Sequence, residues 1–225
     1  MNDLDKVISD WYKNHYNQIC ITARDSIFSR YIHKTLERHH RSNQGLRILE
    51  VGGHTGEHVI YVEQSFSHYL LTDIQKISTK LKKDLKVEGV NFKVADIHNL
   101  DLPSKTFDRV ISTCLFHHLA DPHQAALELK RVTKPGGIVS ILIPTDPGFC
   151  YRALQYLTSG FRAKLAHLYP QLELVHAIEH RNHFLGIKYL LENAFQECEM
   201  KLSYYPFRIP SYNANAFAVL TIKKQ

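Results

Sequence analysis

Short apolar runs alternate with amphipathic stretches through the middle of the chain. Leu46–Val51, Tyr69–Asp73, Val90–Ala95, Phe107–Cys114 and Ile138–Ile143 are mostly apolar and bounded by turn residues. Runs of this length read as strands covered on both faces, as in a parallel sheet between helices. Helices are expected after the glycine-rich turn 52–56 as far as Phe66, over Lys76–Lys86, and from Asp121-Pro122. Asp is a good N-cap, proline suits the first helical position, and Lys134-Pro-Gly-Gly137 is a strong breaker. Before Leu46 the chain reads as helical and polar. In Ser26–Arg41 the apolar Ile27, Phe28, Tyr31, Ile32 and Leu36 share one helical face, with Ser26 as cap.

After Pro144 the alternation breaks. Residues 145–184 are helix-like and rich in Tyr, Phe and basic side chains. A helix near Leu185–Asn193 and two strand-like runs, Glu199–Tyr204 and Ala216–Ile222, complete the chain. The expected class is α/β, a Rossmann-like, seven-stranded, mostly parallel sheet with helices on both faces. An N-terminal helical extension, a lid or an anchor, occupies 1–45. The main domain covers 46–225, with a helical insertion after the fifth strand at about 145–184.

Composition narrows the class. With 44% hydrophobic and 22% charged residues the chain is not disordered. No uncharged apolar stretch reaches about 18 residues, so no membrane span is expected. The beginning, Met1-Asn-Asp-Leu-Asp-Lys6, lacks a signal-peptide core. Cys20, Cys114, Cys150 and Cys198 lie far apart without a CxxC pair, which disfavours a disulfide framework and points to a reducing, cytoplasmic setting. The net charge of +6 is spread out. The densest run, Lys76–Lys86, includes Asp84, so nucleic acid is not the expected partner, whereas an anionic substrate is compatible.

The candidate chemistry begins at Leu49-Glu-Val-Gly-Gly-His-Thr-Gly56. A strand ending in an acid and a glycine turn, followed by a helix, makes a nucleotide-sized niche, because glycine lets backbone approach a ligand closely. The acid Asp73, some twenty residues beyond Glu50, sits where dinucleotide folds hold ribose hydroxyls. Asp96 ends the third strand and could accept from an exocyclic amine such as adenine N6. Glu50, Asp73 and Asp96 therefore fall at the carboxyl ends of three strands, where open α/β sheets bind ligands. This acidic lining suits a cationic ligand better than a pyrophosphate.

At this point the chain resembles the class I S-adenosylmethionine-dependent methyltransferases, with the flavour of the small-molecule branch called type 11. The residues that carry the resemblance are Glu50-x-Gly52-x-x-x-Gly56, Thr72-Asp73, Ala95-Asp96-Ile97, Phe107–Ile111, Phe116-His-His-Leu119 and Arg131–Gly137. They span about Leu46 to Pro144. The resemblance implies S-adenosyl-L-methionine as cofactor. Gly52, Gly53 and Gly56 would pass under the methionine part and ribose, Asp73 would bind the ribose hydroxyls, and Asp96 and Ile97 would frame the adenine. Thr113 and Cys114 would line the floor beside the sulfonium. One departure is His54, where the family pattern has glycine.

The implied activity is methyl transfer to an oxygen or nitrogen of a small-molecule acceptor by in-line displacement. An RNA or protein methyltransferase, or a non-catalytic cofactor-binding scaffold, is the alternative. His117 follows the fourth strand and is the candidate general base, since imidazole exchanges a proton near neutral pH. His118, His180, Arg181 and His183 are candidate substrate contacts. His176-Ala-Ile-Glu-His180 matches the H-x-x-E-H zinc-protease pattern, but the match is short and the family needs no metal, so none is expected.

Overall fold

The computed structural model describes residues 3–20, 26–38, 40, 45–53, 56–76 and 87–225. Its centre is a seven-stranded sheet in the order β3-β2-β1-β4-β5-β7-β6. The strands are β1 (Leu46–Val51), β2 (Phe66–Asp73), β3 (Val90–Val94), β4 (Phe107–Thr113), β5 (Thr133–Pro144), β6 (Glu199–Tyr205) and β7 (Phe217–Lys223). Strands β1 to β5 pair in parallel, and β7 runs antiparallel to both β5 and β6. No helix among the described residues is long and apolar enough to cross a membrane.

The helices cover both faces. They are α1 (Asp3–Asp10), α2 (Tyr16–Ile19), α3 (Ile27–Glu37), α4 (Pro122–Val132), α5 (Phe149–Gln155), α6 (Phe161–Leu165), α7 (Tyr169–Glu179) and α8 (Phe184–Ala194). Ser26 caps α3 by accepting from the Ser29 N–H at 2.9 Å, and Asp121 caps α4 by accepting from the Gln124 N–H at 2.9 Å. On one face of the sheet, Val51, Val110, Val139 and Ile141 pack with Ala125 and Leu129 of α4 and Ile187 and Leu191 of α8. On the other, Ile48, Leu71, Ile111 and Leu142 pack with Ile32 and Leu36 of α3. Ile27 departs from the expected apolar face and is 82% exposed, because it starts the helix while the later turns touch the sheet.

Two expectations need correction. Residues 56–65 hold a single 3₁₀ turn, Val59–Tyr61, instead of a helix to Phe66, and Phe66 already belongs to β2. The β-branched Val59, Ile60 and Val62 disfavour a helix, and the segment is pinned at His58 by side-chain contacts. Lys134-Pro-Gly-Gly137 does end α4, yet it lies within β5. Its extra residues make an irregularity opposite Phe107 and Arg109, with Gly136 at φ +75. The helix expected over Lys76–Lys86 falls beyond residue 76, outside the described residues, as does His54.

A charged network is buried beneath the β1 end of the sheet. Arg109 donates to both oxygens of Glu37 at 2.7 Å and to Gln64 Oε1 at 2.7 Å. His58 Nε2 meets Glu37 Oε1 at 2.8 Å, and its Nδ1 meets His33 Nδ1 at 3.0 Å. Burial, then the neighbouring His58, pushes the His33 imidazole down to about 3. For Glu37 burial acts upward, but hydrogen bonds from His58 and Arg109 more than offset it and hold the carboxyl near about 2. Both groups bind protons less readily in the folded chain than unfolded, so their contribution is present at neutral pH and lost on acidification. His33 acts from its ordinary 6.5 down to about 3, and Glu37 from 4.5 down to about 2. The thermal midpoint is therefore expected to fall steadily from pH 7 to pH 4 in circular-dichroism melts, and a flat profile over that range contradicts the assignment.

Candidate active site

The parallel register aligns the strand tips. Asp73 of β2 is level with Val94 of β3, Val51 of β1 lies between Thr72 and Ser112, and Thr113 of β4 is level with Leu142. The glycine turn leaves β1 beside Asp73, and Asp96 and Ile97 begin just past the β3 tip. The Gly53 N–H donates to Thr72 O at 3.1 Å and ties the turn to β2. Gly52 has φ +66, and a Cβ there would stand 2.7 Å from Leu115 in the loop after β4. Gly56 also has positive φ, +64. The backbone conformation and the crowding by Leu115 account for glycine at 52.

The predicted acids differ in situation. Asp73 is buried and accepts from the Gln75 N–H at 2.8 Å. Asp96 is exposed; its carboxylate accepts from the His98 N–H at 2.9 Å and is held below the usual carboxylate range, mainly by that bond. Ile97 packs into the core beside it. Glu50 is wholly buried beneath the turn, and burial pushes its carboxyl above the usual range. The Tyr69 hydroxyl donates to Glu50 Oε2 at 2.6 Å. Glu50 thus lies directly under the turn, its carboxyl carbon 3.0 Å from where a Cβ at Gly53 would stand. Thr113 ends β4 half-buried, and Cys114 follows at φ +49, a region few side chains adopt.

Beyond β4 the histidines converge. His117 is 5% exposed, and its ring centroid lies 3.9 Å from that of His118 and 4.6 Å from that of His180. His118 Nδ1 is 3.0 Å from the Glu179 carbonyl oxygen, and His180 Nδ1 is 3.2 Å from Asp146 Oδ2. A ring nitrogen from each of His117, His118 and His180 lies within 4.8 Å of the other two. Burial, reinforced by the neighbouring imidazoles, pushes His117 well below the ordinary histidine range and His118 down to about 4. His117 Nδ1 and Asp146 Oδ1 are buried with no hydrogen-bond partner among the described residues. Asn182 fastens the insertion here, donating its backbone N–H to His117 O at 3.1 Å and its side chain to Leu119 O at 2.6 Å. Arg181 and His183 are exposed beside this convergence, close enough for Arg181 to act on His118 and His183 on Asp146.

Residues 49–141 match the family of the methyltransferase domain, type 11. Over that segment, 93 of its 225 residues, the chain is similar to the class I methyltransferases of that type. A rice (Oryza sativa) 2-methyl-6-phytyl-1,4-hydroquinone methyltransferase is 28% identical over 134 residues, covering 58% of this chain and 38% of the rice protein. A Vibrio parahaemolyticus ubiquinone/menaquinone biosynthesis C-methyltransferase is 31% identical over 141 residues, covering 58% of this chain and 52% of the relative. The chain therefore spans well under two thirds of the length of these relatives. A Thermotoga maritima S-adenosylmethionine-dependent methyltransferase shares the fold at TM-score 0.62 and 15% identity, over 99% of this chain and 100% of the other. One from Mesorhizobium loti does so at TM-score 0.60 and 15% identity, over 84% and 96%.

These two solved structures are named as S-adenosylmethionine-dependent enzymes, and the donor set at the strand tips of this chain fits that molecule. A buried carboxylate at the β2 tip matches vicinal hydroxyls, and a carboxylate beside an apolar Ile97 matches a purine edge and face. The turn between them has no room for a side chain at Gly53, where a Cβ would lie 2.8 Å from Leu71 and 3.0 Å from the Glu50 carboxyl carbon. Sequence reasoning gave Asp146 and Glu179 no role. The link of Asp146 to His180 crosses 34 positions.

Proposed function

We propose that this methyltransferase moves a methyl group from S-adenosylmethionine to an oxygen or nitrogen of a small-molecule acceptor. The row of adjacent strand tips bearing Gly52, Asp73 and Asp96 supports the reading most directly. Asp73 would hold the ribose hydroxyls, Asp96 and Ile97 the adenine, and Gly52, Gly53 and Gly56 the backbone path beneath the methionine portion. When bound, the cofactor supplies a sulfonium-activated methyl group open to in-line displacement. Orientation then provides much of the rate. The acceptor would lie beyond Thr113, against His117, His118 and His180, with Arg181 and His183 at the rim. Among the ring nitrogens of that wall, His117 Nδ1, without a hydrogen-bond partner among the described residues, is the one we assign to take the proton an O–H or N–H acceptor gives up.

A second reading, transfer to a ring carbon of a quinol, is favoured by the relatives named for hydroquinone and for ubiquinone/menaquinone C-methylation. Isotope-labelled methyl traced by NMR to carbon, oxygen or nitrogen of the product separates the two. The proposal itself is tested by calorimetry with S-adenosylhomocysteine. One binding site is expected, and Asp73→Asn should weaken it by about 10- to 100-fold, the loss of a charge-assisted hydrogen bond. No heat with the wild type, or equal affinity in the variant, overturns it.

A further inference from the structure

We propose that His117, His118 and His180 form the binding site for one divalent transition-metal ion of the zinc type. A ring nitrogen of each lies within 4.8 Å of the others. Zinc bonds of 2.0–2.1 Å in a tetrahedron place nitrogens roughly 3.3 Å apart, so small side-chain rotations close the set. The three residues come from two elements far apart in sequence. His117 and His118 belong to the 3₁₀ turn after β4, and His180 follows α7 in the insertion.

The hydrogen bonds decide which lone pairs are available. A carbonyl oxygen only accepts, so His118 Nδ1, 3.0 Å from Glu179 O, carries its proton and leaves Nε2 bare. Asp146 presents an oxygen of its side-chain carboxylate, an acceptor, to His180. His180 Nδ1–H therefore donates to Asp146 Oδ2 at 3.2 Å and likewise leaves Nε2 bare. A carboxylate behind a ligating imidazole is the usual arrangement in histidine metal sites, fixing tautomer and ring direction. The third ring, His117, has a buried Nδ1 with no partner among the described residues. Burial without a partner is costly unless something else satisfies the atom. His176 does not share the role, since the Gln155 amide contacts its Nδ1.

The balance of charge is favourable. Asp146 and the Glu179 carboxylate, 3.9 Å from His118 Nδ1, offset the ion and face the charge of Arg152 and the exposed Arg181. Three protein ligands leave a fourth position open, the pattern of a reactive zinc site instead of a structural one. Its place just past the β4 tip would let that position hold an acceptor heteroatom, a role that rests on the methyl-transfer reading. An ion and a proton cannot share the His117 lone pair. With the ion bound, activation would come from polarisation of the acceptor, its proton passing to solvent.

The test uses the full chain stripped with a chelator, dialysed, and titrated with Zn²⁺ and with Co²⁺. One equivalent is expected, with Co²⁺ giving the visible absorption of a four-coordinate site. The wild type needs no substitution for a second readout. Co²⁺ should broaden the NMR signals of the three cluster imidazoles first among the 15 histidines. Asp146→Asn should weaken Zn²⁺ by about 10- to 100-fold. The double variant His118→Ala/His180→Ala should weaken it by more than 100-fold, while His68→Ala leaves it unchanged. No binding at tens of micromolar Zn²⁺, equal affinity in the double variant, or broadening of histidines elsewhere overturns the proposal. S-adenosylhomocysteine titrated in the presence of chelator reports on the cofactor reading separately.

Discussion

Replacing Glu37 with glutamine is expected to destabilise the fold by about 3–5 kcal/mol, the range for breaking a buried ion pair by removing one partner. Arg109 is among the largest fully buried side chains and has no carboxylate partner other than Glu37 among the described residues. Its Nε is already without a partner. The amide of glutamine offers one acceptor oxygen where the carboxylate engages both guanidinium nitrogens and His58. For a chain of this size the thermal midpoint should fall by roughly 6–20 °C. Adding Arg109→Met should restore part of the loss, because the stranded charge disappears with it. A drop below about 1 kcal/mol in denaturant titrations would show that the pair is dispensable.

His117→Ala is expected to lower kcat by about 10²–10⁴, the usual range for loss of a positioned proton acceptor. The affinity for S-adenosylhomocysteine should be unchanged, since His117 lies past the β4 tip and not among the residues assigned to the cofactor. The expected signature is a fall in kcat with little change in cofactor binding. The ring is buried, so folding is checked by a melt, and His117→Gln serves if alanine leaves a damaging hole. Wild-type turnover in either variant would remove His117 from the chemistry, whether as base or as ligand.

What could be read in the sequence follows the range of the signals. The strands announced themselves as local apolar runs, and the caps at Ser26 and Asp121 are contacts over three positions. The acids at 73 and 96 could be placed because strand ends and glycine turns are local too. The stretch after Gly56 was misjudged, since β-branched residues and the capture of His58 by Glu37, 21 positions away, override a helical pattern. The brace of Glu50 by Tyr69 and the pairing of Asp146 with His180 were hidden for the same reason: the partners meet only after the sheet is assembled. Of the fifteen histidines, His117, His118 and His180 stand out in the sequence as site candidates, but the contact of His180 with the other two depends on the assembled fold.

The small third core has its own consequence. Trp11, Ile19 and Cys20 pack against Ala163, Leu172 and Val175, joining the first twenty residues to the helices that lead into His180. An exchange of acceptor preference between relatives by grafting residues 145–184 alone would strand Trp11 without its seat. The two segments form a single inheritable cassette, although the strands β1 to β5 separate them along the polypeptide.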